Sequence, residues 1–349
     1  MNKNIIFIGS IGKYNEFGGE LSKNKYILNR LKTLGYKTKK IDTYRGHKSL
    51  IKMIEICYKL LIALTFRRKW LFIFSTSFGN IYTLIKFMHI IPYQYKMIHW
   101  VIGGNFQDKV LNGDYSIKYL NDFKLHIVEC NGMKDILNKK CKLNNIIVKP
   151  NFKDISYLPK INKFKDGKIH FLFISHIRKE KGVFNIINAS KKLNHQGFKE
   201  KYIIDFYGTI EPSIKNEFEK EISINNNINY CGKLQLENFN NYNILARYHY
   251  MLFYSYWMGE GCPGVVIDAF ISGIPIIASD WQFNTEFIQN GKVGIIVSYK
   301  NEEQLIQSMK KAINGDYNNY AMSILCQNEA RNYNTSNIID EKFMQLLFN

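Results

Sequence analysis

Short apolar runs alternate with stretches of helical periodicity along the whole chain. In the first half, strands are predicted at Ile5–Ile8, Lys39–Asp42, Trp70–Ser75, Tyr95–Ile102, Lys124–Glu129 and Asn145–Val148. Between these runs, apolar residues three and four positions apart predict helices over Leu21–Leu34 and at about 50–66, 79–90 and 132–140. Because strands alternate with helices, the pattern indicates a parallel α/β sheet.

A second series of the same kind follows a polar, lysine-rich segment, Phe152–Lys168, which we interpret as a linker. Its strands are predicted at Ile169–Ser175, Tyr202–Tyr207, Asn229–Cys231, Met251–Tyr254, Pro275–Ala278 and Gly294–Val297. Its helices are predicted over Val183–Leu193, at about 212–224 and over Gly264–Ser272. The sequence therefore predicts an α/β fold of two doubly wound domains, residues 1–152 and 153–335, with ligands at the carboxyl ends of the strands.

The formal charge of +19 is concentrated in the first 150 residues, which hold 26 lysines and arginines against 9 acids. This excess indicates a polyanionic partner, either nucleic acid or a membrane with anionic lipids. A solvated lysine-rich surface is the alternative interpretation. The apolar helix before Arg67-Arg68-Lys69-Trp70 suits a membrane interface, although a core helix whose basic last turn complements its dipole has the same pattern.

Other features of the composition exclude several classes of protein. Six cysteines lie scattered without a C-x-x-C pair, which argues against a zinc site or a disulfide framework and favours a reducing cytoplasm. The sequence contains no apolar stretch long enough to span a bilayer, and its first apolar run is short enough to be a strand rather than a signal peptide. It also lacks the motifs of a phosphate-binding loop, a zinc protease or a serine hydrolase, and a D-x-D pair typical of a metal site.

The segment Gly259–Ala278 carries the strongest chemical signal. An acid, Glu260, precedes a glycine-rich turn, a helix and a buried strand, and Asp268 follows on the helix. Free backbone N–H groups at the start of a helix form an anion site. Carboxylates accept hydrogen bonds well, so the two acids could hold two parts of an extended polyhydroxyl ligand.

This segment resembles the E-x7-E signature of retaining glycosyltransferases of the GT-B fold, family 4. Glu260 matches the first acid, and Asp268 stands where the family usually has Glu. The resemblance implies that Glu260 contacts the donor sugar and that Asp268 contacts the ribose. It implies further donor-binding residues in the turn and in two other loops, namely Gly261, Cys262, Pro263, Gly264, Val265, Gly208 and Leu234.

A second segment, Phe171–Val183, places a loop of cations between a strand and a helix. Such a loop can neutralise a diphosphate leaving group. It is similar to the G-R-L-x-x-x-K-G segment of the same family, with Lys181 at the phosphate-binding lysine. His176 occupies the position of the family's arginine, so either His176 or Arg178 is expected to bind the phosphate.

Two loops of the first half complete the resemblance. Gly18 and Gly19 lie in the loop Gly12–Gly19 after the first strand, where glycine allows a ligand to approach the backbone. The family has this loop near the donor phosphates. The segment His99–Phe106 matches a capsule and O-antigen subgroup, which implies that residues near the reacting sugar are Gly103, Gly104 and Asn105. Glu129 and Pro150-Asn151 also match that subgroup, and His99 is expected inside a strand as a core residue.

The resemblance implies two Rossmann-like domains that face each other across a cleft, with a last helix near 336–349 that packs back on the first domain. It also implies an enzyme that moves a hexose or N-acetylhexosamine from a nucleotide sugar, with UDP the commonest, without a metal or other cofactor. The expected acceptor is a lipid-linked oligosaccharide at the inner face of the cytoplasmic membrane. The alternatives are a protein or soluble-sugar acceptor, a non-catalytic partner subunit, and a nucleic-acid-binding protein, which only the charge suggests.

Overall fold

The computed structural model describes residues 4–13, 16, 18–236 and 239–349, except for the side chain of His47. These residues form two compact units. Unit 1 comprises the chain up to Asp154 together with Tyr333–Asn349, and unit 2 comprises Ile155–Asn332. The predicted domain boundaries, after residues 152 and 335, lie within a few residues of these.

Each unit is built on one sheet of parallel strands. The strands of unit 1 are β1 (Asn4–Gly9), β2 (Lys37–Asp42), β3 (Leu71–Thr76), β4 (Met97–Val101), β5 (Leu125–Val128) and β6 (Ile146–Val148). The strands of unit 2 are β7 (Ile169–Ile174), β8 (Tyr202–Tyr207), β9 (Ile228–Tyr230), β10 (Tyr250–Phe253), β11 (Ile276–Ser279) and β12 (Gly294–Val297). Interior strands such as β1 and β3 are mostly apolar because helices cover both faces of a parallel sheet.

Helices connect these strands and follow them. In chain order they are α1 (Gly19–Thr33), α2 (Leu50–Phe66), α3 (Tyr82–Ile90), α4 (Phe106–Leu111), α5 (Ile117–Leu120), α6 (Asn131–Lys139), α7 (Val183–Leu193), α8 (Lys215–Ser223), α9 (Asn241–Leu245), α10 (Gly264–Ile271), α11 (Asn284–Phe287), α12 (Glu302–Asn314), α13 (Asn319–Ala330), α14 (Thr335–Ile338) and α15 (Glu341–Phe348). In the part of the chain that the structure describes, no helix is long and apolar enough to cross a membrane.

The end of the chain completes the core of unit 1. Phe343 of α15 packs edge-on against Trp100 of β4, and Met344 and Leu347 are buried in the same cluster. The single helix predicted near 336–349 is two helices, because the Asp340 side chain accepts a hydrogen bond from the Phe343 N–H and starts α15 there.

The strand orders place the ligand-binding edge of each sheet. The order in unit 2 is β12-β11-β10-β7-β8-β9, which is the order of Rossmann dinucleotide-binding folds. From β7 the chain adds β8 and β9 on one side of the sheet, and then β10, β11 and β12 on the other side, so the order reverses between β7 and β10. In unit 1 the order is β2-β1-β3-β4-β5-β6, with the reversal between β1 and β3. Ligands of such sheets bind beyond the carboxyl ends of the strands at the reversal. A ligand of unit 2 is therefore expected at the loops after β7 and β10.

Candidate functional site

The loops after β7 and β10 bring the two strongest sequence motifs together. The amino group of Lys181, at the end of the β7–α7 loop, forms an ion pair with the Glu260 Oε1 of the loop after β10. The Lys181 side chain is 13% exposed and that of Glu260 is 8% exposed. Residues 79 positions apart in sequence therefore form one charged pair at the reversal point of the sheet.

Ser255 also holds the carboxylate of this pair. Its hydroxyl donates a hydrogen bond of 2.8 Å to Glu260 Oε1, and it accepts one of 3.3 Å from the Trp257 N–H. Both side-chain contacts of Glu260 thus use Oε1, and within the described chain Oε2 has no hydrogen-bond partner. This second oxygen is the one that can meet a sugar hydroxyl. The sequence motifs did not predict Ser255, because it is buried and its spacing from Glu260 follows no general pattern.

A glycine lets the two loops touch. Gly182 has a φ of +74°, and a Cβ at this position would lie 2.2 Å from the Tyr254 carbonyl oxygen. Beside it, the Tyr256 N–H donates a hydrogen bond of 2.8 Å to the Glu180 carbonyl oxygen. The lysine-glycine pair of the motif therefore has a steric reason, since only glycine leaves room for the loop that carries Glu260.

The two candidates for the missing phosphate-binding arginine have different surroundings. The Arg178 guanidinium contacts the carboxylates of Glu180 at 3.0 Å and Glu211 at 3.3 Å. It also lies 4.0 Å from the ring centroid of Trp257. Its charge is therefore already balanced by two acids. His176 is exposed, and partial desolvation together with the nearby Arg178 charge lowers the pKa of its imidazole below the usual range.

The glycine-rich turn leads into the N-terminus of α10, which can bind an anion. Gly261, Cys262 and Pro263 are buried, and α10 begins at Gly264 with Val265 as its second residue. The first N–H groups of a helix have no intrahelical acceptor. Pro263, in the N-cap position, supplies no capping side chain within the described residues. The start of α10 can therefore donate to a phosphate or a sugar oxygen.

Asp268 lies on the buried side of α10. It is 3% exposed, and its Oδ1 accepts a hydrogen bond of 2.5 Å from the hydroxyl of Tyr242 on α9. This bond joins α9 to α10. Tyr242 is a second contact that the sequence motifs did not predict, because it lies 26 residues before its partner.

Two further predicted donor-binding residues follow strands on the other side of β7. Gly208 follows β8 with a φ of +152°, and a Cβ there would lie 1.7 Å from the Ser175 carbonyl oxygen. Leu234 is partly buried in the irregular segment after β9. Both residues lie at the carboxyl edge of the unit 2 sheet, because β8 and β9 run parallel to β7.

The candidate residues of unit 1 lie at the carboxyl edge of its own sheet. Residues 14, 15 and 17 of the loop Gly12–Gly19 lie outside the described residues, whereas Gly18 immediately precedes α1 and Gly19 begins it. Gly103, with a φ of +92°, and Gly104 follow β4, and Asn105 precedes α4. These glycines turn the chain at the end of a buried strand.

Buried polar pairs lie beneath this edge. His99 is inside β4 and fully buried, with its Nδ1 3.1 Å from the Nδ1 of His126. Lys23 of α1 donates a hydrogen bond of 2.6 Å to Glu129, which follows β5. Burial of this ion pair makes each partner necessary to the other, since a lone buried charge is strongly destabilising. Among the residues that the structure describes, no group of three or more His, Cys, Asp and Glu side chains could hold a metal ion.

Comparison with known proteins finds a matching family model and similar solved structures. The family model described as "Glycosyl transferases group 1" matches residues 154–331, which is nearly all of unit 2. A curated relative, an uncharacterized 41.2 kDa protein in the cps region of Klebsiella pneumoniae, is 24% identical over 148 residues. That match covers 42% of this chain and 38% of the relative, which is less than half of either protein.

Similar solved structures include several glycosyltransferases. Sucrose-phosphate synthase from Thermosynechococcus elongatus matches with a TM-score of 0.75 and 13% identity, over 98% of both chains. Anabaena HepE in complex with UDP matches with a TM-score of 0.70 and 13% identity, over 99% of both chains. The pneumococcal O-GlcNAc transferase GtfA, in complex with UDP and GlcNAc, matches with a TM-score of 0.62 and 18% identity, over 84% of this chain and 59% of that one. These likenesses show the two-sheet GT-B fold.

Proposed function

The chain belongs to the glycosyl transferases of group 1, and from this premise we propose that it moves a hexose or N-acetylhexosamine from a nucleotide sugar to a lipid-linked oligosaccharide, with retention of configuration. The observation that carries the proposal is the Lys181–Glu260 pair at the reversal point of the unit 2 sheet. It sets one cation and one carboxylate beside the start of α10. A diphosphate needs the cation and the helix end, and a sugar needs the carboxylate.

Each group has a role in the proposed transfer. The bond between the sugar C1 and the donor phosphate oxygen breaks, and a bond between C1 and the acceptor oxygen forms on the same face. The acceptor proton passes to the departing phosphate oxygen, so the chain need not supply a general base. Lys181 and the N–H groups at the start of α10 stabilise the negative charge that develops on the diphosphate. Glu260 orients the sugar through Oε2, because Oε1 is held by Lys181 and Ser255.

The donor is proposed to be a UDP-sugar. Two of the similar structures, HepE and the pneumococcal O-GlcNAc transferase, are complexes with UDP, which supports this nucleotide. The proposed donor site takes the diphosphate at His176 and Lys181 and the ribose near Asp268. Gly208 and Leu234 belong to the same carboxyl edge and are proposed to contact the nucleotide. The transfer is proposed to need no metal ion.

The acceptor is proposed to be a lipid-linked oligosaccharide of a surface polysaccharide, presented at the inner face of the cytoplasmic membrane. The relative in a cps region supports this assignment, as does the similarity to a lipopolysaccharide outer core galactosyltransferase. The excess of positive charge in the first 150 residues supports an anionic membrane rather than a small soluble acceptor. Unit 1, with the loops at Gly18 and Gly103, is proposed to bind the acceptor.

Binding of nucleotide sugars to the wild type, measured by thermal stabilisation, tests the donor part of the proposal. A UDP-sugar is expected to raise the melting temperature, whereas Glu260→Ala and Lys181→Ala should each weaken binding at least tenfold, or about 1.4 kcal/mol. Lys179→Ala and Glu217→Ala are the matched controls. These two residues form an exposed ion pair of 3.5 Å beside the same loop, and their removal should leave binding unchanged.

Transfer to acceptors is then measured in EDTA, with a lipid extract, a protein fraction and free oligosaccharides offered in parallel. Product in the lipid extract alone supports the proposed acceptor. Product in the protein fraction alone would replace it by a protein acceptor, as in the pneumococcal neighbour. If no nucleotide sugar stabilises the wild type, the proposed enzymatic role is wrong and the chain acts as a partner subunit.

A further inference from the structure

Helix α2 exposes an apolar stripe that the fold leaves uncovered. Of its 17 residues, Leu50–Phe66, the buried ones are Ala63 and Leu64. Large apolar side chains point outward at helical spacing, and they are Leu50, Ile51, Met53, Ile54, Tyr58, Leu61 and Phe66. Ile51 and Phe66 are more than four-fifths exposed. A surface helix of a soluble protein ordinarily turns its polar side outward, so this stripe requires a partner.

A second helix extends the same surface. The chain passes from β1 to β2 in one direction across the sheet, and from β2 to β3 and β4 in the other. Because crossovers between parallel strands are right-handed, α1 covers one face of the sheet while α2 and α3 cover the opposite face. On α3, Phe87 is 57% exposed and Ile90 is 79% exposed. We call this combined surface, the outward sides of α2 and α3, the α2–α3 face.

Positive charge surrounds the α2–α3 face. Between Arg45 and Lys96 the sequence holds nine lysines and arginines and a single acid, Glu55. Glu55 is itself paired with Lys52 and Lys59. Three of the nine, Arg67-Arg68-Lys69, lie in the turn after α2 beside Trp70, with the Arg67 guanidinium 5.7 Å from the Trp70 ring centroid. Cations with an aromatic beside an apolar helix match the chemistry of an anionic lipid headgroup layer.

We propose that the α2–α3 face inserts its apolar side chains into the surface of an anionic bilayer. This inference deepens the proposed function: it assigns the membrane contact to one surface, and it adds apolar insertion to the charge of unit 1. A second copy of the chain is the competing partner. A twofold contact would set this basic surface against itself, and its one acid, Glu55, is already paired with lysines of α2, which disfavours a dimer. In this arrangement α2 lies parallel to the bilayer surface. Its apolar stripe faces the acyl chains, and its lysines remain at the level of the headgroups.

Vesicle co-sedimentation of the full chain tests the proposal. Wild type is expected to bind phosphatidylcholine vesicles that contain phosphatidylglycerol, and to retain part of that binding at high salt, because insertion of apolar side chains is not screened. The triple variant Ile51→Ser, Ile54→Ser, Phe66→Ser should bind at least tenfold more weakly. The matched control is Ile224→Ser with Leu346→Ser, exposed apolar residues away from this face, which should bind as the wild type does.

The exposed Cys57 of α2 provides a second readout in the folded protein. In a Cys231→Ser variant, which removes the other exposed cysteine, a polarity-sensitive dye on Cys57 should shift to the blue on anionic vesicles. Wild type that fails to bind vesicles overturns the proposal, as does equal binding by the triple variant and the control. Self-association that the triple variant abolishes, without vesicle binding, would assign the face to a dimer. None of these outcomes depends on a nucleotide sugar, so the transfer proposal stands or fails separately.

Discussion

At the scale of single residues, Glu260 is placed by its neighbours as much as by its own position in the turn. Lys181 and Ser255 both contact Oε1, and this leaves the second carboxylate oxygen for a ligand. Ser255 also caps the N–H of Trp257 within the same loop. We therefore regard Ser255 as a positioning residue that acts through Glu260.

Ser255→Ala tests this role. The variant leaves Glu260 with one partner, and a displaced carboxylate should lower kcat roughly 10- to 100-fold, while the KM for the donor changes less because the diphosphate contacts remain. Steady-state kinetics of sugar transfer measure both constants. Ser272→Ala is the matched control, since Ser272 is equally buried at the end of α10 and its hydroxyl has no partner among the described residues. Similar kcat values for the two variants would contradict the positioning role.

The sequence motifs named the two acids and the lysine of this candidate site, but not Ser255 and Tyr242, which contact the acids. Glu260, Asp268 and Lys181 lie at spacings that a family signature fixes. Tyr242 reaches Asp268 from another helix, and Ser255 reaches Glu260 across a loop. Such contacts depend on how a loop folds back on itself, which periodicity and composition do not encode.

At the scale of elements, the β7–α7 loop and the loop after β10 are fitted to each other through Gly182. A side chain there would meet the Tyr254 carbonyl oxygen, and the backbone is in the left-handed region. Gly197 has nearly the same backbone, with a φ of +83°, but a Cβ at Gly197 would meet nothing within 4 Å. Substitution of Gly182 and of Gly197 therefore distinguishes two losses of stability, one from the left-handed backbone and one from contact with the Tyr254 carbonyl oxygen.

Gly182→Ala is expected to destabilise unit 2 more than Gly197→Ala does. Both variants should lose about 1 kcal/mol from the left-handed conformation. Gly182→Ala should lose roughly 1–3 kcal/mol more from overpacking against the backbone of the β10 loop. Urea unfolding measures both losses. Equal losses would mean that the loops separate freely and that their contact does not hold Lys181 beside Glu260.

Strands were the elements that the sequence predicted best. The interior strands β7 and β8 and the edge strand β12 are mostly apolar runs, so both their presence and their ends are visible in the sequence. The helices α12 and α13 received no specific prediction. Their apolar faces become informative only when the strands they cover are known.

At the scale of the whole molecule, buried histidines make stability depend on pH. His99 and His126 are fully buried beside each other, and burial lowers the pKa of both, that of His126 to about 4. Between pH 4 and the ordinary histidine pKa of about 6.5, the unfolded chain binds protons that the folded unit does not. The stability that these neutral histidines contribute to unit 1 is therefore fully present above pH 6.5 and is lost as the pH falls through this window.

Protonation of His126 should lower the free energy of unfolding of unit 1 by roughly 1.4 kcal/mol per pH unit within the window, and His99 should lower it further. His126→Gln removes one of them and should make the pH dependence shallower. Urea unfolding across the window measures the slope. His195→Gln, at an exposed position of unit 2, is the control and should leave the slope of unit 1 unchanged. A slope that His126→Gln does not alter would contradict the assignment.

The sequence predicted the division into two α/β domains and a return of the last helix. It did so because a polar linker separates two series of strands, and because the resemblance implied the return. The exposed α2–α3 face could not be predicted from the sequence and is visible only in the structure. The sequence left open whether α2 is a core helix or a surface helix, and only the exposure of its apolar residues decides between them.

The chain leaves unit 1 and re-enters it at one place. The Lys153 N–H bonds to the Tyr333 carbonyl at 3.0 Å, and the Thr335 N–H bonds to the Lys153 carbonyl at 2.9 Å, so both crossings lie side by side. Unit 2 is thus an insertion within unit 1. During synthesis, all of unit 2 is made before α15. The core of unit 1 is complete only after α15 is made, because Phe343 and Leu347 belong to that core. The later part of the chain can therefore finish folding first, against the usual amino-terminal-first order of multidomain proteins.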